Sequence, residues 1–164
     1  MAAWLFRVNK ITPDLQEIRS FMTDPRIYQS PLSQRYSSKA MQQLWSAEFK
    51  FTTWRKLWLA LAEAEHELGL NITEAQLQQM RQRIEPLNLE TAGVYERKLR
   101  HDVMAHIHAW SEQVPEAAGI IHWGATSQFV NCNTELLQIR SALRLIAQKL
   151  AAVIDALARF AETH

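Results

Sequence analysis

The apolar positions in the last quarter of the chain recur in steps of three and four residues, which is typical of an α-helix with one apolar stripe. The stripe, which we call the seam, consists of Leu136, Ile139, Leu143, Ile146, Leu150, Val153, Leu157 and Phe160. These are the a and d positions of successive heptads, so the helix needs partner helices along its length. The pattern continues almost to His164 without a stop signal, and we expect a bundle completed by a continuation of the chain or by other subunits.

Three more helices are predicted upstream by the same periodicity and by signals at their ends. The first is expected at 38–68 and the third at about 89–113. The second is expected to begin with a capping box at Thr73–Gln76 and to stop before Pro86. Gly69 is placed to end the first of them in a left-handed conformation. Two of the four glycines fall in 116–127, which predicts a loop there. Because no convincing strand pattern is present, the predicted fold class is all-α.

This pattern divides the chain into three parts. Residues 1–29 form a poorly patterned arm with one possible short helix at 13–21. Residues 30–118 are predicted to be an N-terminal helical domain, and residues 119–164 a loop followed by the start of a long bundle helix.

Charge and cysteine content exclude several functional classes. Eighteen Lys and Arg against 17 Asp and Glu give a net charge of +1, which argues against nucleic acid or an anionic membrane as a partner. The single Cys132 cannot form an internal disulfide or a cysteine zinc site, and a reducing, cytoplasmic setting is expected. No apolar run approaches the roughly 20 residues of a membrane span.

Arg100, His101 and Asp102 are the first candidate site. As neighbours on one helix they would point in directions about 100° apart. They then form either a solvated charged turn or an anion site, in which the carboxylate orients one of the two cationic groups. A metal at Asp102 and His106 is a weaker alternative, because no flanking H-E-x-x-H pattern supports it. No metal or cofactor is therefore expected.

The loop from Gly119 to Ser127 is the second candidate. It imitates a P-loop, but Ala125 stands where the phosphate-binding Lys is required. What remains is two hydroxyls, Thr126 and Ser127, at the start of the long helix, where they suit a carboxylate or phosphate. An ordinary N-cap explains the same pair equally well. Cys132, one turn further on, is interpreted as a small packing residue.

Four ordered blocks, from residue 30 to the end of the chain, together resemble the adenylosuccinate lyases of the fumarase/aspartase superfamily. The blocks are Ser30–Tyr36, Thr53–Glu65, Arg97–His106 and Gly119–Ser127. The resemblance implies an N-terminal helical domain followed by the first long helix of a central bundle. It also implies a homotetramer whose active sites are shared between subunits.

The resemblance further implies a lyase of purine biosynthesis. Such an enzyme releases fumarate from adenylosuccinate to give AMP, and from the succinylated imidazole-carboxamide ribotide. Carried over by position, Arg35 and Tyr36 are implied to bind the nucleotide, and Thr126 and Ser127 to bind a succinyl carboxylate. A second substrate-binding block is implied at Arg100, His101 and Asp102. His122 is implied to orient the substrate.

In that family the general acid is a His and the base a Ser on later segments, so the expectation is that no catalytic residue lies within residues 1–164. The chain alone is then expected to be inactive. Two alternatives remain open: another lyase of the superfamily, such as an argininosuccinate or carboxymuconate type, and a non-enzymatic helical module that uses the seam. Arg35 and Tyr36 disfavour the former, because its substrates carry no nucleotide phosphate.

Overall fold

The computed structural model describes residues 30–164 of the chain. The chain falls into two compact units, of which the first ends at Ser37 and the second is Ser38–His164. The described part of the first unit is a five-residue π-helical turn, Leu32–Tyr36. Ser37 closes this turn by donating its backbone N–H to the carbonyl of Leu32 over 2.8 Å. The arm at 1–29 and the helix predicted at 13–21 lie outside the described residues.

The second unit consists of six α-helices, and no residue described in 30–164 is in a strand, which confirms the all-α fold class. In chain order they are α1 Lys39–Leu44, α2 Ala47–Glu67, α3 Glu74–Gln82, α4 Leu89–Leu99, α5 Asp102–Gln113 and α6 Ser127–Thr163. The loop predicted before α6 is confirmed as a run of turns that ends at Gly124.

Two of the predicted end signals are confirmed in detail. Gly69 has φ 83° and follows α2 with the paired backbone bonds of a Schellman motif, from Gly69 to His66 and from Leu70 to Glu65. Thr73 and Gln76 form a complete capping box at the start of α3.

The single helix predicted at 38–68 is wrong, because the chain breaks at Trp45 and Ser46. The Trp45 N–H turns back to the Gln42 carbonyl. The Ser46 hydroxyl then accepts from the N–H of Phe49 over 3.1 Å, so it caps a new helix. A serine that satisfies an N-terminal N–H competes with continuation of the preceding helix.

The single helix predicted at about 89–113 is also wrong. Arg100 adopts a left-handed conformation with φ 56° and ends α4. His101 is extended and caps α5, its Nδ1 accepting from the N–H of Met104 over 3.3 Å. The sequence contains no Gly or Pro at this point to signal the break. The candidate residues Arg100, His101 and Asp102 therefore lie at a junction between two helices.

The core is built from tryptophans on α2 and α5. Trp54, Trp58 and Trp110 are each at most 1% exposed. The ring of Trp58 lies edge-on to Trp54 and stacks on Trp110, with centroids 5.9 and 6.0 Å apart. Residues from α3, α5 and the loop before α6 complete this core: Leu77, Met80, Val103, Val114 and Ile121.

Arg55 fixes the connection between α3 and α4 to this core. It is 3% exposed and donates to the carbonyls of Arg83, Ile84 and Pro86 and to Oδ1 of Asn88, over 2.6–3.1 Å. Its guanidinium also lies 5.3 Å from the centre of the Trp110 ring. Burial lowers the pKa of Arg55 to about 10, so the side chain stays charged near neutral pH.

The long helix α6 is buried only near its start. Val130, Thr134, Gln138 and Ala142 face the rest of the unit, and Gln138 donates to the carbonyl of Leu44 over 2.7 Å. All eight residues of the seam are exposed, by 46–64%. At about 1.5 Å per residue, the 37 residues of α6 extend roughly 55 Å. Within 30–164, no helix is both long and apolar enough to cross a membrane.

Candidate functional site

The junction between α4 and α5 meets the start of α6 through His101 and Ser127. The His101 Nε2 and the Ser127 Oγ are 3.3 Å apart, although 26 positions separate the residues in the chain. The His101 Nδ1 accepts from the backbone N–H of Met104, so in the neutral ring the proton is on Nε2. His101 therefore donates to Ser127, and the Ser127 hydroxyl keeps its own hydrogen for another acceptor.

His122 lies on the turn that precedes α6 and is half-buried. Its Nδ1 accepts from the indole N–H of Trp58 over 2.9 Å. Burial lowers the pKa of His122, and the nearby His101 lowers it further. We call His101, His122 and Ser127 the His–Ser cluster. Each of its two imidazoles uses Nδ1 as an acceptor.

Thr126 begins α6 without capping it. It is the N-cap residue, but its side chain makes no hydrogen bond to the first turn of the helix. An ordinary N-cap therefore does not explain this hydroxyl. The exposed Thr126 and the half-buried Ser127 stand at the end of the helix where backbone N–H groups and the helix dipole favour an anion.

The turn between His122 and Thr126 passes close to α2 where Gly124 lies beside Glu65. Gly124 has φ 67°, and a Cβ there would lie 3.0 Å from Oε1 of Glu65. The other carboxyl oxygen, Oε2, is buried without a hydrogen-bond partner. Burial raises the pKa of Glu65. A carboxyl group thus lies beneath the turn that leads to the two hydroxyls.

Arg100 and Asp102 flank His101, but their side chains have different surroundings. The exposed Arg100 lines a surface cavity of about 400 Å³ with Gly93, Glu96 and Arg97. Asp102 accepts from the N–H of Val103 over 2.8 Å, while its Oδ1 is 3.9 Å from the His101 Nδ1. That separation is too long for a hydrogen bond. Asp102 therefore supports the start of α5, and His101 is oriented by the backbone instead.

Arg35 and Tyr36 belong to the first unit, whereas the residues of the His–Ser cluster belong to the second. Both side chains are exposed on the π-helical turn, and the Arg35 guanidinium lies 5.8 Å from the centre of the Tyr36 ring. A cation over an aromatic face leaves the guanidinium N–H groups able to bind an anion. The predicted role of this pair at a nucleotide stays a prediction.

The second unit also shows the surroundings of Cys132 and His106. Cys132 is exposed and its Sγ lies 3.6 Å from the side-chain oxygen of Gln128, so its interpretation as a packing residue is wrong. His106 packs its ring against Phe51, with centroids 3.7 Å apart, and is buried. Among the described residues no group of three His, Cys, Asp or Glu side chains is arranged to hold a metal ion.

Sequence reasoning missed Trp58 and Glu65 as parts of this region. The pattern placed Trp58 in the core, where it is, but nothing in a linear sequence links it to His122, 64 positions away. Glu65 lies in a polar stretch of α2, and from the sequence such a stretch is expected to form a solvent-exposed helix face. Only Gly124 carried a usable signal, because an isolated glycine in a loop often marks a positive φ or a close approach.

Comparison with known proteins gives a consistent result. No family model matches the chain. It is 50% identical over 143 residues to the adenylosuccinate lyase of Saccharomyces cerevisiae, covering 85% of this chain and 30% of the relative. It is 44% identical over 142 residues to that of Schizosaccharomyces pombe, covering 85% and 30%. It is 40% identical over 137 residues to that of Schistosoma mansoni, covering 84% and 28%.

The all-α fold and these matches define the class: the chain is homologous to lyases. More specifically, it is homologous to the N-terminal part of the adenylosuccinate lyases. The chain spans about 30% of the length of the curated relatives that it matches.

Proposed function

We propose that this chain supplies the carboxylate-binding part of an adenylosuccinate lyase active site and corresponds to the N-terminal region of that enzyme. The reaction is elimination of fumarate from adenylosuccinate to give AMP, and from the succinylated imidazole-carboxamide ribotide, in purine biosynthesis. The observation that carries the proposal is the His101–Ser127 contact at the start of α6. The identity to adenylosuccinate lyases supports the choice of substrate.

The chemistry of this elimination matches the donors of the cluster. A proton leaves the carbon next to a carboxylate, the C–N bond breaks, and negative charge develops on that carboxylate. Hydrogen-bond donors fixed at this position stabilise the charge as it forms. The Ser127 hydroxyl, oriented by His101, and the Thr126 hydroxyl are the donors we assign to it, together with the free N–H groups of the first turn of α6.

The remaining predicted residues serve the other parts of the substrate. We assign Arg35 and Tyr36 to the nucleotide phosphate, Arg100 to an anionic group of the substrate, Asp102 to positioning of the junction, and His122 to orientation of the succinyl group. The proton-transfer pair, a general acid His and a base Ser, is assigned to segments that follow this region in the family. No cofactor or metal has a role in this scheme.

Assembly is the second part of the proposal. The exposed seam on α6 supports a homo-oligomer in which equivalent helices pack together, and the family resemblance suggests a homotetramer in the cytoplasm. Apolar a and d positions exposed over several turns are stabilised when partner helices cover them. A purely structural helical module would use the same seam, but it would need no His–Ser cluster.

A chimera tests this function directly. The 143 aligned residues of the Saccharomyces cerevisiae relative are replaced by the matching residues of this chain, and fumarate release from adenylosuccinate is followed by absorbance. We expect activity in the chimera and a loss of about 10²- to 10³-fold when Ser127 is changed to Ala, as for other donors to a developing anion. Thr163→Ala, at the other end of α6, is the control and should keep full activity. An active chimera that is indifferent to Ser127→Ala contradicts the assigned role.

A further inference from the structure

Trp58 joins the tryptophan core to the candidate site. Its side chain is 1% exposed, and its ring is held on two sides by Trp54 and Trp110. The indole N–H points out of this core to the Nδ1 of His122, 2.9 Å away. The two rings are almost perpendicular, at 85°. The direction of this N–H is therefore fixed by core packing.

The contact decides which nitrogen of His122 carries the proton. An indole nitrogen can only donate, so the Nδ1 of His122 has to accept, and in the neutral ring the proton is then on Nε2. Protonation of Nδ1 would set two N–H groups against each other. Burial acts in the same direction, because it lowers the pKa of His122 and favours the neutral ring.

His101 is held as the same Nε2–H tautomer by a different contact. Its Nδ1 accepts from the backbone N–H of Met104, and its Nε2 faces Ser127. Both imidazoles of the His–Ser cluster thus have Nδ1 occupied and Nε2–H available for donation. His101 is held by the N-terminus of the helix that it caps. His122 is held by Trp58, a core residue 64 positions away in the sequence.

We propose that Trp58 is a positioning residue of the site: its indole N–H holds His122 as the Nε2–H tautomer, so that His122 meets a substrate carboxylate as a neutral donor. This assignment rests on the proposed function for its last step, the encounter with a carboxylate. Trp58 touches no substrate in this scheme and acts only through His122.

The tautomer is measured by long-range ¹H–¹⁵N spectra of the chain labelled with ¹⁵N-histidine, in which protonated and unprotonated ring nitrogens have different shifts. We expect wild-type His122 to show an unprotonated Nδ1. Trp58→Phe should move His122 to averaged shifts of both tautomers while His101 stays unchanged. Retention of the Nε2–H form in Trp58→Phe, or a protonated Nδ1 in the wild type, overturns the proposal.

Trp110→Phe is the matched control. It shortens a neighbouring core tryptophan, whose indole N–H donates to the carbonyl of Arg83 over 2.8 Å and not to a histidine. It should lower the thermal stability comparably and leave the His122 shifts in place. An equal change in both variants would mean a general core effect and would contradict the proposal. If Trp58→Phe fails to fold, β-(3-benzothienyl)alanine at position 58, which replaces the N–H with sulfur and keeps the ring size, gives the same comparison.

Titration with fumarate separates this inference from the proposed function. If wild-type chain binds fumarate, we expect a weaker Kd by about 3- to 10-fold in Trp58→Phe, the effect of one hydrogen bond, and an unchanged Kd in Trp110→Phe. An unchanged Kd in Trp58→Phe overturns the role in binding. If the wild-type chain binds no fumarate while the tautomer shifts as expected, the isolated chain does not form the carboxylate site, the chimera decides the proposed function, and the hold of Trp58 on His122 stands.

Discussion

Arg100 and His101 are adjacent in the chain yet terminate two different helices. Arg100 ends α4 at φ 56°, and His101 starts α5 with a side-chain cap to Met104. A left-handed conformation costs a non-glycine residue about 1 kcal/mol or more. The site therefore includes a backbone strain that glycine would not have at this position.

Replacement of Arg100 by Gly is expected to raise the stability of the chain. Relief of the left-handed strain should increase the free energy of unfolding by about 0.5–1 kcal/mol, measured by urea denaturation. Arg100→Asn, which tolerates the same conformation better than most residues, should lie between Gly and the wild type. Lower stability in Arg100→Gly would mean that the Arg100 side chain contributes more than its backbone costs.

Three glycine substitutions separate backbone strain from crowding beside Glu65. Gly124→Ala combines a φ of 67° with a Cβ 3.0 Å from the Glu65 carboxyl, whereas Gly69→Ala has a φ of 83° and open space around the Cβ. We expect Gly69→Ala to destabilise by about 1 kcal/mol and Gly124→Ala to destabilise by more, in thermal unfolding.

Gly119→Ala is the control for this comparison, because a Cβ at that position meets nothing within 4 Å and the φ of Gly119 is not positive. It should be neutral or slightly stabilising. Equal effects at positions 69 and 124 would show that Glu65 moves aside freely.

Acid should destabilise the chain through His106. Burial, with a smaller effect of Arg55, lowers the pKa of His106 to about 4 from 6.5. Between these values the unfolded chain binds a proton that the folded chain excludes, so the free energy of unfolding falls as the pH falls from 6.5 to 4. The linked change is about 3 kcal/mol, measurable by denaturation across this pH range.

His106→Phe keeps an aromatic ring against Phe51 and should reduce this pH dependence. His122, whose pKa is also lowered, should contribute in the same direction to the part that remains, and Glu65, whose pKa is raised by burial, in the opposite direction. His108→Phe is the control, since His108 is exposed and stacked on Tyr95. An unaltered slope in His106→Phe would contradict the assignment.

The seam should drive self-association of the chain. Leu143 and Leu150 are 60% and 57% exposed, and Leu143→Gln combined with Leu150→Gln should shift the population toward smaller species in sedimentation velocity at a series of concentrations. Lys149→Gln, on an exposed polar position of the same helix, should leave the distribution unchanged. A wild-type chain that stays monomeric at all concentrations would contradict the proposed assembly.

The sequence predicts the helices of this chain better than their junctions. Apolar periodicity finds the long helix because its seam persists over seven turns, and Gly69 and the Thr73 capping box locate two ends through local chemistry. The breaks at Ser46 and Arg100 escape prediction since neither interrupts the apolar pattern. A serine within a helix is common, and an arginine at positive φ is specified only by the packing of the two helices beside it.

The candidate site shows the same division. Thr126 and Ser127 are recognisable as helix-start hydroxyls, and Arg100 to Asp102 as a polar block. The contact of His101 with Ser127 and that of His122 with Trp58 depend on how distant helices pack. Periodicity carries no information about such pairs, because it reports which face of an element is buried and not which element lies opposite.

Arg55 opposes partial opening of the loop between α3 and α4. Its four hydrogen-bond acceptors are neutral, so peeling the loop away would leave a guanidinium without partners beside Trp110. Such a state is costly, and partial opening of the loop is thereby suppressed. The segment Arg83–Asn88 should therefore become accessible to proteases only when the tryptophan core unfolds, so that an irregular connection resists cleavage as well as the helices it joins.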